Sequence, residues 1–402
     1  MMKKVFFLTM AIWMGSMTFP FSSAYSRNLG TLKIEPKEST TLPIEGEWVK
    51  ANNPKIQYIG RVSFSKPEIA SFNYPGTTIE AMFQGTSLKM ICRPMTGYFM
   101  AQIDKSKPFK LGFNNKRDSL ITLATALQDG IHHVKVMYVI EGLFRTPEFH
   151  GFVLDQGCKL VTPPLLSERK IEFIGNSITC GYGVESIEKT DPFEDETENH
   201  WLTYANIVSD SLNAQHTSIS RSGIGVYRNY DGPKTGSEEN MPWQYEYTLF
   251  NKHQEKWDFS KYQPQLVCIN LGTNDLSTDN YDITLYEKNY RIFLKTVRSK
   301  YPNAKILLIT GPMLGEKESS QQLAVLDRIC KDANNNGFTL PADVSNVRKR
   351  KKNKGDKNIY RFDFTFQTGD LGYGASWHPS KLQHEKMANE LLPFLRNLMG
   401  WY

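Results

Sequence analysis

Between Tyr58 and Val153, apolar and polar residues alternate in short runs. Examples are Ile79-Glu80-Ala81-Met82-Phe83, Leu88-Lys89-Met90-Ile91-Cys92 and Val134-Lys135-Val136-Met137-Tyr138. A period of two turns one face of each run to a core and the other to water. Pro75-Gly76, Gly85, Asn114-Asn115 and Asp129-Gly130 separate the runs as turns. Many short strands at this spacing predict a β-sandwich of the jelly-roll kind. The texture changes at Val161-Thr162-Pro163-Pro164. Beyond it, strands at Ile171 to Ile174, Leu266 to Leu271 and Lys305 to Thr310 alternate with longer helical patterns. Those helices are expected at Trp201 to Leu212, Leu285 to Lys300, Ser319 to Asn334 and Lys381 to Leu398. Near-continuous apolar strands are covered on both faces. Strands alternating with helices predict a parallel sheet between two helical layers. The expectation is therefore an all-β unit over residues 25–164, then a three-layer α/β/α unit over 165–402.

The first residues read differently. Lys3 and Lys4 precede an apolar stretch from Val5 to Phe21, and the small residues Ser22, Ser23 and Ala24 follow. This is the layout of an export signal over residues 1–24. Thr9, Gly15, Ser16, Thr18 and Pro20 interrupt the stretch, so it is poorly suited to span a membrane. No cysteine follows to carry a lipid. The reading is a secreted or periplasmic protein with no stable membrane anchor, acting as a monomer.

Composition narrows the classes. Of 402 residues, 40% are apolar and 22% charged, as in ordinary globular proteins, which excludes disordered and fibrous classes. Lys and Arg number 48 against 42 Asp and Glu, a net charge of +6. A compact basic cluster from Arg348 to Lys357 accounts for much of it, so no global basic field marks a nucleic-acid partner. The five cysteines, Cys92, Cys158, Cys180, Cys268 and Cys330, match no metal spacing, and buried thiols are expected. No His-Glu-x-x-His or acidic metal motif occurs, and no metal or organic cofactor is implied.

Open α/β sheets bind ligands beyond the carboxyl ends of their strands. Gly175-Asn176-Ser177-Ile178-Thr179, Ser222-Gly223-Ile224-Gly225 and Gly272-Thr273-Asn274-Asp275 follow expected strands, and Trp377-His378-Pro379-Ser380 precedes the last helix. Singly, each is an ordinary turn or helix cap. Together, in order along one sheet edge, they supply an acyl-transfer centre. Ser177 is the nucleophile and His378 its base. The N–H groups of Ser177 and Gly223 and the Asn274 amide are the oxyanion donors. Asp275 is expected to order the Asn274 loop. Tyr182, Trp243 and Trp377 are the candidates for stacking on a ligand ring, with burial an equal alternative for Trp243.

These blocks resemble those of the SGNH (GDSL-type) hydrolases, with Gly-Asn-Ser in place of Gly-Asp-Ser. Phe173 to Gly183 and Gly225 to Asn229, together with a jelly roll ahead of the hydrolase unit, look more specifically like carbohydrate esterase family two. The resemblance runs from about Tyr58 to the C-terminus. It implies an exported deacetylase of plant-type polysaccharides such as glucomannan or xylan, acting at the sugar 6-position. The partner implied is an acetylated polysaccharide or oligosaccharide. Most SGNH enzymes place an aspartate three residues before the histidine, and here Ala375 stands there. Members of the resembled family can work with a serine–histidine dyad. A backbone carbonyl from Ala375 to Trp377 is the expected orienter, with Asp370 as fallback and Ser376 as a weaker acceptor. Transfer to another acceptor, a different small acyl group, and carbohydrate binding without catalysis remain open on the residues alone.

Overall fold

The computed structural model describes residues 44–337 and 355–402. The expected export signal and the basic residues from Arg348 to Lys354 lie outside the described residues. Ile44–Tyr402 form one compact unit. Among the described residues, no helix is long and apolar enough to cross a membrane.

The alternating runs form two antiparallel sheets. Glu47–Lys50, Ser63–Lys66, Ile69–Ser71, Leu88–Cys92, Leu120–Ala124 and Glu148–Leu154 make one; Gln57–Ile59, Thr78–Gly85, Gly97–Ile103, Phe109–Phe113 and Gly130–Tyr138 make the other. Ile79, Ala81 and Phe83 point into a core that they share with Leu88, Met90 and Cys92 of the facing sheet, so the pair is a β-sandwich. Its aromatic rings pack against one another. Phe99 meets Phe72, Phe113 and Tyr138 edge to face, the geometry preferred by ring quadrupoles.

The second half builds a five-stranded parallel sheet: β1 (Lys170–Gly175), β2 (Gln215–Ser220), β3 (Leu266–Asn270), β4 (Lys305–Thr310) and β5 (Ile359–Asp363). Their order is β2-β1-β3-β4-β5. The order reverses between β1 and β3, which opens a crevice at their carboxyl ends. Successive side chains of each strand enter opposite cores. Phe173 and Cys268 pack with α1 (Tyr204–Ser211) and α4 (Lys381–Met399) on one face; Ile174 and Ile269 pack with α2 (Ile283–Lys300) and α3 (Glu316–Asn336) on the other.

Two details depart from the sequence expectation. Helix α1 starts at Tyr204, not Trp201, because the extended Thr203 caps it and His200–Leu202 form a separate 3-10 turn. Strand β5 was not anticipated. It is short, at the sheet edge and only partly buried, so its apolar signal is weak.

The sandwich and the α/β layers share buried contacts. Tyr74, from the sandwich half, joins the core on the α2–α3 face beside Phe250. Buried Arg61 donates to the carbonyls of Tyr245 and Tyr247. The His200 N–H reaches the Val139 carbonyl at 2.9 Å. A boundary drawn at Pro164 therefore divides the chain without dividing the packing.

Candidate active site

Ser177 follows β1 directly. Asn176 leaves the strand in extended geometry and caps the next turn, its Oδ1 accepting from the Ile178 N–H at 3.1 Å. The cap fixes Ser177 at the first helical position, with its N–H facing out of the turn. Its Oγ lies 2.8 Å from His378 Nε2.

The loop carrying His378 supplies the orienter from its own backbone. His378 Nδ1 lies 3.0 Å from the Ala375 carbonyl and 3.2 Å from that of Ser376. A proton on Nδ1 satisfies these acceptors and leaves the Nε2 lone pair for Ser177. Ser376 and Trp377 both adopt positive φ, at 50° and 59°, which for non-glycine residues costs on the order of 1–2 kcal/mol each. Surrounding bonds hold this strained turn: Trp377 N–H to the Lys189 carbonyl, Gln367 Nε2 to the Trp377 carbonyl, and Gly374 N–H to the His378 carbonyl. Gly183, at φ +56°, lets the segment after Ser177 approach this loop, since a Cβ there would sit 2.3 Å from that of Ala375. Asp370 is engaged elsewhere, accepting from Thr368 Oγ1 at 2.8 Å, and makes no bond to His378 among the described residues. Burial of the ring pushes the His378 imidazole down to about 4, although its two carbonyl partners act the other way.

The remaining blocks converge on the same cleft. It encloses about 810 Å³ and is lined by Ser177, Gly223, Asn274 and His378, with Tyr182, Tyr230, Met313 and Leu314 around them. The Gly223 N–H has no acceptor among the described residues. Asn274 Nδ2 gives one hydrogen to the Ile224 carbonyl at 2.8 Å, which fixes the amide and leaves its second hydrogen over.

Asp275 does more than order the Asn274 loop. It is buried and accepts the N–H groups of Val226, Tyr227 and Arg228 at 3.0, 2.8 and 3.1 Å. It therefore anchors the segment that follows Gly223. Gly225 makes the approach possible, since a Cβ there would lie 1.9 Å from the Arg228 carbonyl and 2.7 Å from the Asp275 carboxyl. Burial raises the Asp275 carboxyl to about 6 against the pull of those N–H donors.

Glu141 was not foreseen. It leaves the sandwich in the loop after Gly130–Tyr138 and accepts the Ser222 N–H at 2.7 Å, one residue before Gly223. The Glu141 N–H in turn donates to Glu198 Oε2 at 2.9 Å. Both carboxyls are buried and pushed up, chiefly by desolvation. With Cys180, they form the one group of three ligand-type side chains found close together among the described residues. Each carboxylate already accepts a backbone N–H, and burial holds the Cys180 thiol well above its ordinary range. This donor set suits a structural brace better than a metal.

The aromatic expectations fare unevenly. Tyr182 lines the cleft, and its ring stacks on His378 at 4.1 Å and meets Phe193, tilted, at 4.7 Å. The ring therefore packs against the base while also lining the cleft. Trp377 is 51% exposed and stands beside His378 without lining the cleft. Trp243 is not at the site at all. It packs on His253 and Tyr247 at the hairpin Tyr247–Leu249/Lys252–Lys256. Tyr230, which sequence reasoning passed over, is the exposed aromatic on the cleft wall. Its position immediately after Gly225 to Asn229 was the available signal.

A serine on a neutral imidazole, beside unpaired N–H donors at the switch point of a parallel sheet, is the apparatus of a serine acyl hydrolase. The comparisons with known proteins agree. Residues 171–391 match the GDSL-like lipase/acylhydrolase model, and residues 58–164 match the carbohydrate esterase 2 N-terminal model. The solved structure of a family two carbohydrate esterase from Clostridium thermocellum, in complex with cellohexaose, is 34% identical with a TM-score of 0.75, covering 86% of this chain and 100% of that one. The cellulase/esterase CelE of Acetivibrio thermocellus is 35% identical over 87% of this chain, and the match spans 40% of that longer protein. An acetylxylan esterase/glucomannan deacetylase of Cellvibrio japonicus is 27% identical, covering 88% of this chain and 91% of that protein. The chain belongs to the GDSL-like acylhydrolases and, within them, to the family two carbohydrate esterases. It is an acetylesterase-like serine hydrolase.

Proposed function

We propose that this protein is an exported carbohydrate O-acetyl esterase that removes acetyl groups, at the sugar 6-position, from polysaccharides such as glucomannan or xylan. The reading rests above all on the 2.8 Å contact between Ser177 Oγ and His378 Nε2 inside an 810 Å³ cleft. The names of the relatives support the substrate class. The export signal is a reading of the N-terminal pattern. We read the sandwich as a jelly-roll domain ending near Pro164 and the remainder as the hydrolase domain.

In this mechanism Ser177 Oγ attacks the acetyl carbonyl carbon while its proton passes to His378 Nε2. The oxyanion that forms meets the N–H groups of Ser177 and Gly223 and the free Asn274 hydrogen; losing one such donor typically costs roughly 2.7–4 kcal/mol of barrier. Collapse breaks the bond to the sugar oxygen, which takes the proton from His378. An acetyl-serine remains. Water then gives its proton to His378, attacks the ester and releases acetate, and Ser177 recovers its hydrogen. The imidazolium formed in each step leans on two neutral carbonyls, Ala375 and Ser376, where a carboxylate would hold it more strongly. Tyr230, and Trp377 beyond the cleft edge, are the surfaces offered to sugar rings.

The experiment is acetate release from acetylated glucomannan and acetylated xylan by the mature protein and by Ser177→Ala. The expected outcome is release by the wild type and a loss of at least about 10³-fold in the variant. Undiminished release by Ser177→Ala would refute the mechanism. An acylated sugar appearing in place of free acetate would refute hydrolysis.

A further inference from the structure

A second cavity, of about 620 Å³, adjoins the catalytic cleft, and Tyr182 and Ser222 line both. Its size falls within the range of small-molecule sites. Its walls come from both halves of the chain: Pro94, Met95, Leu143 and Phe144 from sandwich loops, and Phe193 from the segment that backs Tyr182. Arg145 holds these walls together. Its Nε donates to Asp195 Oδ2 at 2.6 Å and its Nη1 to the Met95 carbonyl at 3.0 Å. Above this braced floor Phe144 is 95% exposed, and Met95 is also exposed. A lone exposed phenylalanine needs no explanation. One on the rim of a braced cavity, next to a hydrolytic serine, is placed where a ligand would cover it.

The shape of the substrate supplies the occupant. On the deacetylase reading, on which this inference rests, the esterified sugar sits within a polymer and has a neighbour on each side. The chain must therefore leave Ser177 in two directions. Tyr230, Met313 and Leu314 line the catalytic cleft itself. We infer that the cavity between the sandwich loops and Tyr182 is a binding subsite for the other arm of a neutral polysaccharide chain, with the Phe144 ring as platform for a pyranose face. Neutrality follows from the charges present. Arg145, the arginine that braces the cavity, is paired with Asp195, and Glu141 and Asp195 also line the cavity, so its charges do not favour a uronate.

The test compares Phe144→Ala with the wild type on acetylated glucomannan and on 4-nitrophenyl acetate, which is too small to reach the cavity. The expected result is a loss of about 3- to 10-fold in kcat/KM on the polymer, carried by KM, with the small ester unchanged. Phe144→Trp, which keeps a platform, is expected to retain polymer activity. Equal losses on both esters, or no loss on the polymer, would overturn the subsite. If the wild type hydrolyses the small ester but releases no acetate from any polysaccharide, the deacetylase reading fails by itself. The subsite is then decided by affinity electrophoresis in deacetylated glucomannan. Retardation of the wild type that Phe144→Ala abolishes supports it, and equal mobility of the two overturns it.

Discussion

The two halves reach the catalytic cleft by different routes. From the parallel sheet, Ser177 and Asn274 arrive within a few residues of the strands that carry them, so backbone geometry alone delivers them to the crevice between β1 and β3. From the sandwich, Glu141 reaches Ser222 across 81 positions of sequence, and only the packing of one half on the other brings them together. The first route is local and the second tertiary. The difference teaches that the sandwich is more than a neighbour of the hydrolase layers: one of its carboxylates holds the residue preceding Gly223, the proposed oxyanion donor.

Removing the anchor on the sheet side should have the larger effect. Asp275→Ala strands three buried N–H groups, each costing about 1–3 kcal/mol when unpaired. We expect a clearly lowered Tm together with a fall in kcat of about 10²-fold as Gly223 loses its support. A folded Asp275→Ala enzyme with wild-type kcat would detach the Gly223 segment from this carboxylate.

On the sandwich side, Glu141→Ala should lower kcat by about 10-fold or more with KM little changed, since Ser222 loses one acceptor and the oxyanion donor beside it loosens. Glu141→Gln keeps an oxygen for the Ser222 N–H and should recover most of the rate. If Ala and Gln behave alike in steady-state kinetics, the bond to Ser222 is not what Glu141 contributes, and the comparison between the halves collapses to packing alone.

The smallest effect expected is none. His378 is held down to about 4 by burial, so it is neutral and able to accept the serine proton at any pH above that; protonation below it removes the base. The acid limb of kcat/KM set by the imidazole itself should therefore fall near pH 4 and not near the ordinary histidine value of about 6.5. Asp370→Asn should leave that limb and the rate unchanged. A displaced limb in the Asp370 variant would restore a carboxylate to the mechanism.

How much of this was legible follows the same division. The strands at Ile171, Leu266 and Lys305 stood out as short apolar runs, the first interrupted by Glu172, and the polar clusters behind strands inherited their place from strand ends. Ser177, Gly223 and Asn274 could be proposed for that reason, and His378 from its place before the last helix; the absence of a carboxylate at Ala375 led to the proposal of a carbonyl orienter. Glu141 and Glu198 were not legible, because an acidic residue in a loop carries no local mark of burial. Tyr182 was read as a sugar platform from its type and neighbourhood; that its ring also stacks on His378 was not visible, because a ring's neighbours depend on tertiary packing. Trp243 failed likewise, drawn away by a hairpin whose short strands left little signal.

The turn at Ser376 and Trp377 bears on how this enzyme can change. On the dyad reading, the group that orients the base is a peptide oxygen, present whatever side chain stands at 375 or 376. A survey that truncates side chains one at a time would pass over it and report a loop with nothing to lose. What selection can act on there is chain conformation: the length of the segment, the strain it tolerates, and the distant Gln367 and Lys189 that hold it shut. Replacement of the Ala375–Ser376 amide by an ester, which weakens one carbonyl and spares every side chain, would address the functional atom directly.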